Sequence, residues 1–260
     1  MTQHIENQDK DAPLRDDIRL LGRILGNTVR EQNGESAFEI VEMIRQMSVR
    51  YHRDDDEPAK QKLEKTLGLL EPSDAVDVIR AFSMFSHLAN IAEDLHHIRR
   101  TRSHERAGDK PRRGNMANEL MRAADAGISA EKLRAFFADA HVVPVLTAHP
   151  TEVRRRSTMR HELSIAALLA RRGQSDLTPA ERNDIEAHIR RAVLAVWQTG
   201  MLRDSRLNVL DEVVNGLTYY DYAFFEQLPK IYRAIEDRLD DMPDGGDGKP
   251  ISSFLQIGSW

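Results

Sequence analysis

His149 is the side chain best suited to proton chemistry in this 260-residue sequence. It follows the apolar run Val142-Val143-Pro144-Val145-Leu146 and precedes Pro150-Thr151, with Arg154, Arg155 and Arg156 next in the chain. An imidazole titrates near neutrality, so it can take or give a proton under physiological conditions. Three guanidinium groups within a turn or two supply positive charge, which implies an anionic substrate. Arginines near a helix N-terminus work against the helix dipole, so this cluster asks for a compensating anion. The same residues also fit a histidine that only hydrogen-bonds a backbone carbonyl beside surface arginines.

The element that must present His149 is a strand. Val142 to Leu146 is apolar on both faces and β-branched, the pattern of a strand buried on two sides in a parallel sheet. Thr151 is placed to cap a following helix that carries Ile165, Leu168 and Leu169 and ends at Arg171-Arg172-Gly173. Ligands of α/β folds collect at the carboxyl ends of strands, where His149 falls.

Around this unit the spacing is helical. Ile18, Leu21, Leu25 and Val29 recur on one face until Asn33-Gly34, and Ala37, Ile40, Val41, Ile44 and Met47 form a second stripe. That stripe runs out in the acidic run Asp54 to Glu57, which reads as a solvated turn. Beyond Glu71-Pro72, with Ser73 as cap, a long helix carries Val78, Phe82, Phe85, Leu88, Ala92 and Leu95. Ser129 caps a short helix through Phe136 and Phe137. Thr178-Pro179-Ala180-Glu181 has the composition of a capping box, and its helix carries Ile185, Ile189, Val193, Val196 and Trp197. A stripe from Val214 to Leu239 follows, with Pro229 expected to kink it. Residues 251–260 read as a second strand.

Composition narrows the function classes. Hydrophobic residues make up 40% of the chain and charged ones 30%, enough for one sizeable core or two modest ones. With 37 basic and 42 acidic residues the formal charge is -5, which disfavours a dedicated nucleic-acid binder. The stretch Arg99 to Arg113 is strongly basic, but no aromatic residues interleave for base stacking, and it reads as a solvated loop. There is no cysteine, hence no disulfide, thiolate nucleophile or thiolate metal site. No apolar run approaches the roughly 20 residues of a membrane span, and the polar opening is unlike a secretory signal, so a cytoplasmic location is expected. His96 and His97 with Glu93 could pair on a metal, but they read as a solvated face, and His104 and His188 carry no assignable role. No metal site is expected in this chain.

The segment VLTAHPTEVRRR, residues 145–156, resembles the signature around the catalytic histidine of the phosphoenolpyruvate carboxylase family, TAHPT followed by a pair of arginines. LRDDIRLLGRILGNTVREQNG, AFSMFSHLANIAEDLHHIRRTR, AVWQTGMLR, DEVVNGLTYYDYAFFEQLPKIYR and SFLQIGSW resemble the same family in the same order. The resemblance implies a mainly α protein, with a helical layer and the first strands of an incomplete (β/α) barrel. It implies an enzyme joining bicarbonate to phosphoenolpyruvate to give oxaloacetate and phosphate, using Mg or Mn whose ligands lie downstream of this chain. It also implies a cytoplasmic, allosteric homotetramer. It makes His149 the general base and Arg155 and Arg156 substrate-binding residues. The expected divisions are a disordered tail at 1–13, an N-terminal helical region at 14–140, and the start of the catalytic barrel with inserted helices at 141–260. Family members continue well beyond GSW, so the isolated chain is expected to be inactive. Two departures stand out: Gly200-Met201 replaces an acidic pair, and Ser157 replaces a threonine. The alternative is a stand-alone helical interaction module that has lost the catalytic half.

Overall fold

The computed structural model describes residues 9–146, 155–199, 208–245 and 250–259. The described chain is mainly α-helical and divides into two compact units. The first contains the described residues of Met1–Arg100 and Ser157–Leu202, and the second those of Thr101–Arg156 and Arg203–Trp260.

In the first unit, helix α1 (Ala12–Asn33) has Pro13 in its opening turn, where a missing N–H costs nothing. It stops at Gly34, whose φ of 94° favours glycine. Helix α2 (Glu35–Asp54) follows at once. The acidic run is more than a solvated turn. Asp55 adopts a left-handed conformation, and the Asp56 carboxylate accepts from the Ala59 N–H at 3.0 Å, starting helix α3 (Glu57–Gly68). The sequence reading had no α3, because its KQKLEKTLG stretch offers few apolar anchors.

Helix α4 (Pro72–Arg106) runs further than expected, through Arg99 and into the basic stretch. Arginine and glutamate are good helix formers, so charge density did not mark a loop there. Helix α4 also turns His96 inward. That side chain is 6% exposed, with Nε2 3.2 Å from Asp11 Oδ1, while Glu93 and His97 face outward. The expected shared solvated face for the two histidines is therefore corrected: His96 continues the buried Leu88 and Ala92 row.

Helices α7 (Arg156–Arg172) and α8 (Pro179–Gln198) complete this unit's core. Leu21, Leu88, Ile165, Leu169, Ile185, Ile189 and Trp197 pack in one cluster with Val29 and Val193. The α8 capping box is formed: Thr178 Oγ1 accepts from the Glu181 N–H, and the Glu181 carboxylate accepts from the Thr178 N–H at 2.9 Å. Those bonds hold the Glu181 carboxyl below its usual range. Their contribution is present above the ordinary carboxylate range and fades as pH falls through the depressed value.

An ion network anchored on one buried carboxylate crosses this core. Asp17, 3% exposed, accepts from Arg99 Nη2 at 2.6 Å and lies 3.9 Å from Arg172 Nη1. Arg172 Nε donates to Glu186 at 3.0 Å, and Arg23 reaches the same carboxylate at 3.1 Å. Four helices, α1, α4, α7 and α8, are tied by five side chains.

The second unit holds helix α5 (Met116–Asp125), which the sequence reading lacked, and helix α6 (Ala130–Asp139), capped by Ser129 as expected. Helix α9 (Val209–Tyr219) passes through a π-helical stretch, Tyr220–Phe224, into helix α10 (Phe225–Asp240). Pro229 lies inside α10, five residues beyond the end of the π-helical stretch, where it withholds one N–H from the helix. Phe254 packs with Ile235, Leu239 and Phe137.

Strands β1 (Val145–Leu146) and β2 (Gly258–Ser259) pair in parallel, and Val142 bridges Leu255 three residues earlier on each side. The Val142 N–H donates to the Phe254 carbonyl at 2.7 Å, and its own carbonyl accepts from Gln256 at 3.0 Å. Pro144 cannot donate, so one rung is lost, but its carbonyl accepts from Gly258 at 2.9 Å. A Cβ on Gly258 would lie 2.9 Å from Val143 Cγ1, so glycine is required where the segments touch. The parallel pairing agrees with the sequence reading. The expected burial on both sides does not hold, since Val142 is 47% and Val145 53% exposed. The opposite edge of the run has no strand partner among the described residues.

Removing one member of a buried ion network leaves its partners uncompensated. Asp17→Ala should therefore lower the unfolding free energy by about 3 kcal/mol, read from urea denaturation followed by circular dichroism. A change under about 0.5 kcal/mol would mean that the network adds nothing.

Candidate active site

The strand run ends at Leu146, three residues before His149. His149 and Arg154 lie outside the described residues, as do Thr151 and Gly200-Met201. What is described is the approach on one side and the arginine-bearing helix on the other. Arg155 is half-buried and precedes the helix, and Arg156 is the first residue of α7 and exposed. The sequence reading put both within helical turns begun at Thr151; among the described residues the helix begins at Arg156.

The compensating anion at this helix start is Asp221, whose Oδ2 is 3.4 Å from Arg156 Nη2. Asp221 sits in the π-helical stretch, and the neighbouring Tyr220 hydroxyl donates to the Ile257 carbonyl at 3.4 Å, tying that stretch to the strand segment. Such single-turn widenings re-aim side chains and recur at functional positions. Sequence reasoning missed Asp221. It is 65 residues from Arg156, and the apolar stripe around it gave no local signal.

Arg156, Asp221 and Tyr220 bound a concavity of about 540 Å³ with apolar walls from Val214, Leu217 and Phe225. That is within the size of small-molecule clefts. With apolar walls and a guanidinium at its edge, it can hold an anionic group whose charge Arg156 would meet once Asp221 is displaced.

The other candidate side chains are spent elsewhere. His104 contacts Asp109 at 2.6 Å, and His188 Nδ1 lies 2.7 Å from the Asp184 carbonyl. His141, unremarked in the sequence, contacts Gln256 at 3.0 Å beside the strand ladder. Arg99, which opens the basic stretch, is engaged by Asp17. Among the described residues no three His, Asp or Glu side chains gather as a metal site, and no helix is long and apolar enough to cross a membrane.

The described chain thus has a strand in a parallel pair ending at Leu146 and a helix whose first residue is Arg156, in a mainly helical protein. The family model for phosphoenolpyruvate carboxylase matches residues 14–260, and the chain belongs to that family. It is 57% identical over 258 residues to a phosphoenolpyruvate carboxylase of Azorhizobium caulinodans, covering 99% of this chain and 28% of that protein. It is 53% identical over 253 residues to one from Aromatoleum aromaticum, covering 97% of this chain and 28% of the relative. It is 52% identical over 252 residues to one from Nitrosomonas europaea, at 97% and 27% coverage. The chain therefore spans a little over a quarter of the length of these relatives.

The Arg156–Asp221 pair is solvent-exposed, and such pairs are worth at most about 1 kcal/mol. Asp221→Asn should change the unfolding free energy by less than that, measured in urea. A loss of about 2 kcal/mol or more would show that Asp221 supports the fold rather than answering Arg156's charge.

Proposed function

We propose that this chain supplies the general base and part of the substrate-binding surface of a phosphoenolpyruvate carboxylase, which joins bicarbonate to phosphoenolpyruvate to give oxaloacetate and phosphate. The supporting observation is the family match over residues 14–260, with His149 in the signature segment three residues after the end of a parallel strand. On this reading residues 14–140 are the N-terminal helical region and residues 141–260 begin the catalytic barrel, with inserted helices.

The chemistry needs few groups from this chain. A bicarbonate oxygen attacks the phosphoryl group of phosphoenolpyruvate, and the bond from phosphorus to the enol oxygen breaks. The products are carboxyphosphate and the enolate of pyruvate. His149 takes the carboxyl proton of carboxyphosphate, so that the C–O bond to phosphate cleaves and carbon dioxide is released beside the enolate. The enolate carbon then attacks the carbon dioxide and forms oxaloacetate. A near-neutral imidazole suits the proton step, and Arg155 and Arg156 would hold phosphoryl or carboxylate oxygens. Asp221 would release Arg156 when such an anion arrives.

The family uses Mg or Mn. The described residues gather no ligand set for either, and no step is routed through a metal here. We place those ligands in the part of the relatives this chain does not span. A cytoplasmic, allosteric homotetramer is the assembly proposed with this function. A second reading, a helical interaction module, draws on the exposed apolar face of α9, where Val209, Leu210 and Leu217 lie open.

In a full-length protein containing this sequence, His149→Asn should lower kcat for oxaloacetate formation by about 10²- to 10⁴-fold, as loss of a general base does. The circular dichroism spectrum should stay unchanged. Undiminished turnover would remove the assignment. The 260-residue chain alone should form no oxaloacetate in a coupled assay; detectable formation there would refute the proposed need for the remaining sequence.

A further inference from the structure

Helix α10 holds the second strand segment by side-chain acceptors as well as by packing. The Tyr232 hydroxyl oxygen accepts from two consecutive amides, the Phe254 N–H at 3.1 Å and the Leu255 N–H at 2.9 Å. One turn further along the helix, the Glu236 carboxylate accepts from the Ile251 N–H at 2.9 Å. The Tyr232 ring is tilted against that of Phe254, with centroids 5.1 Å apart, and Phe254 is buried. All of these residues belong to the second compact unit.

A phenol oxygen has two lone pairs, and both are engaged here. Successive amides of a strand face opposite edges, so two in a row cannot meet one atom while the strand stays regular. The backbone therefore leaves strand geometry at Phe254, the residue whose carbonyl receives the Val142 N–H. In a longer parallel ladder the Phe254 N–H would go to the carbonyl of Ala140. The Tyr232 hydroxyl takes that donor instead and closes the ladder at this end. A slip of the segment in either direction would strip both amides of their partner, which packing alone would not penalise so sharply.

We propose that Tyr232 is a positioning residue for the general base. Its hydroxyl, acting through the Phe254 and Leu255 amides, sets the register of the ladder whose other strand ends at Leu146, three residues before His149. The proposal rests on the reading of His149 given above. Tyr232 is assigned no contact with a reacting atom, and phenylalanine in its place keeps the ring while removing the acceptor.

In the 260-residue chain, Tyr232→Phe should speed amide exchange at Phe254 and Leu255 by about threefold or more. In a full-length protein containing this sequence, the same variant should lower kcat for oxaloacetate formation about tenfold and leave KM for phosphoenolpyruvate within about twofold, since a displaced base slows the chemical step rather than binding. In a His149→Asn background it should change kcat by less than about twofold, because a residue that acts through the imidazole has nothing left to position. If Tyr232→Phe loses its helix content, an ester in place of the Leu255 amide removes one donor, keeps the side chain and decides instead, with kcat lowered about threefold or more. Unchanged exchange at Phe254 and Leu255, an undiminished kcat in the deciding variant, a loss carried by KM, or an equal loss with and without His149 would overturn the proposal and leave the assignment of His149 standing. Undiminished turnover in His149→Asn alone overturns that assignment, and this proposal with it.

Discussion

The strand ladder between residues 142–146 and 254–259 is the constraint on which the candidate active site depends. It joins segments more than a hundred residues apart, and three hydrogen bonds centred on Val142 and Pro144 set its register. The run toward His149 leaves from one strand, and the Tyr220 hydroxyl fastens the Asp221 turn to the segment that carries the other. Gly258 lets the two segments approach, and Pro144 omits a rung without shifting the register. A slip of one residue would turn every side chain of the run to the opposite face.

The helical part of the chain works by other means. Its core is an ordinary apolar cluster, but a buried carboxylate, Asp17 on α1, holds α4 through Arg99 and α7 through Arg172. Apolar side chains tolerate sliding and repacking, whereas a buried ion must find its partners in one arrangement. Arg172, at the last residue of α7, belongs to that network, and Arg156, at the first, stands at the candidate site. One helix thus carries an arginine of the ion network at one end and an arginine of the candidate site at the other.

Much of this was legible in the residues. The stripes of α1, α4 and α8, the Gly34 stop, the Ser129 cap and the Thr178 box depend on neighbours within a turn, and local spacing records them. Three kinds of feature were not. Helix α3 and the end of α4 are built largely from charged helix formers with few apolar anchors, so periodicity passed over them. His96 was misplaced because its ring follows the buried Ala92 row although its chemistry reads as surface. Asp221 meets Arg156 only through the fold, across 65 residues. For the candidate site, the motif at residues 145–156 marked the family, while the acid that answers its arginine and the cleft beside it had no sequence signature.

Amide hydrogen exchange on the 260-residue chain tests the ladder most directly. Along this run alternate amides face opposite edges, so Val142, Gln256 and Gly258 should exchange slowly as ladder donors, while Val145, on the unpaired edge, should exchange fast. Uniformly fast exchange at all four positions would contradict the pairing, and with it the placement of the strand that leads to His149.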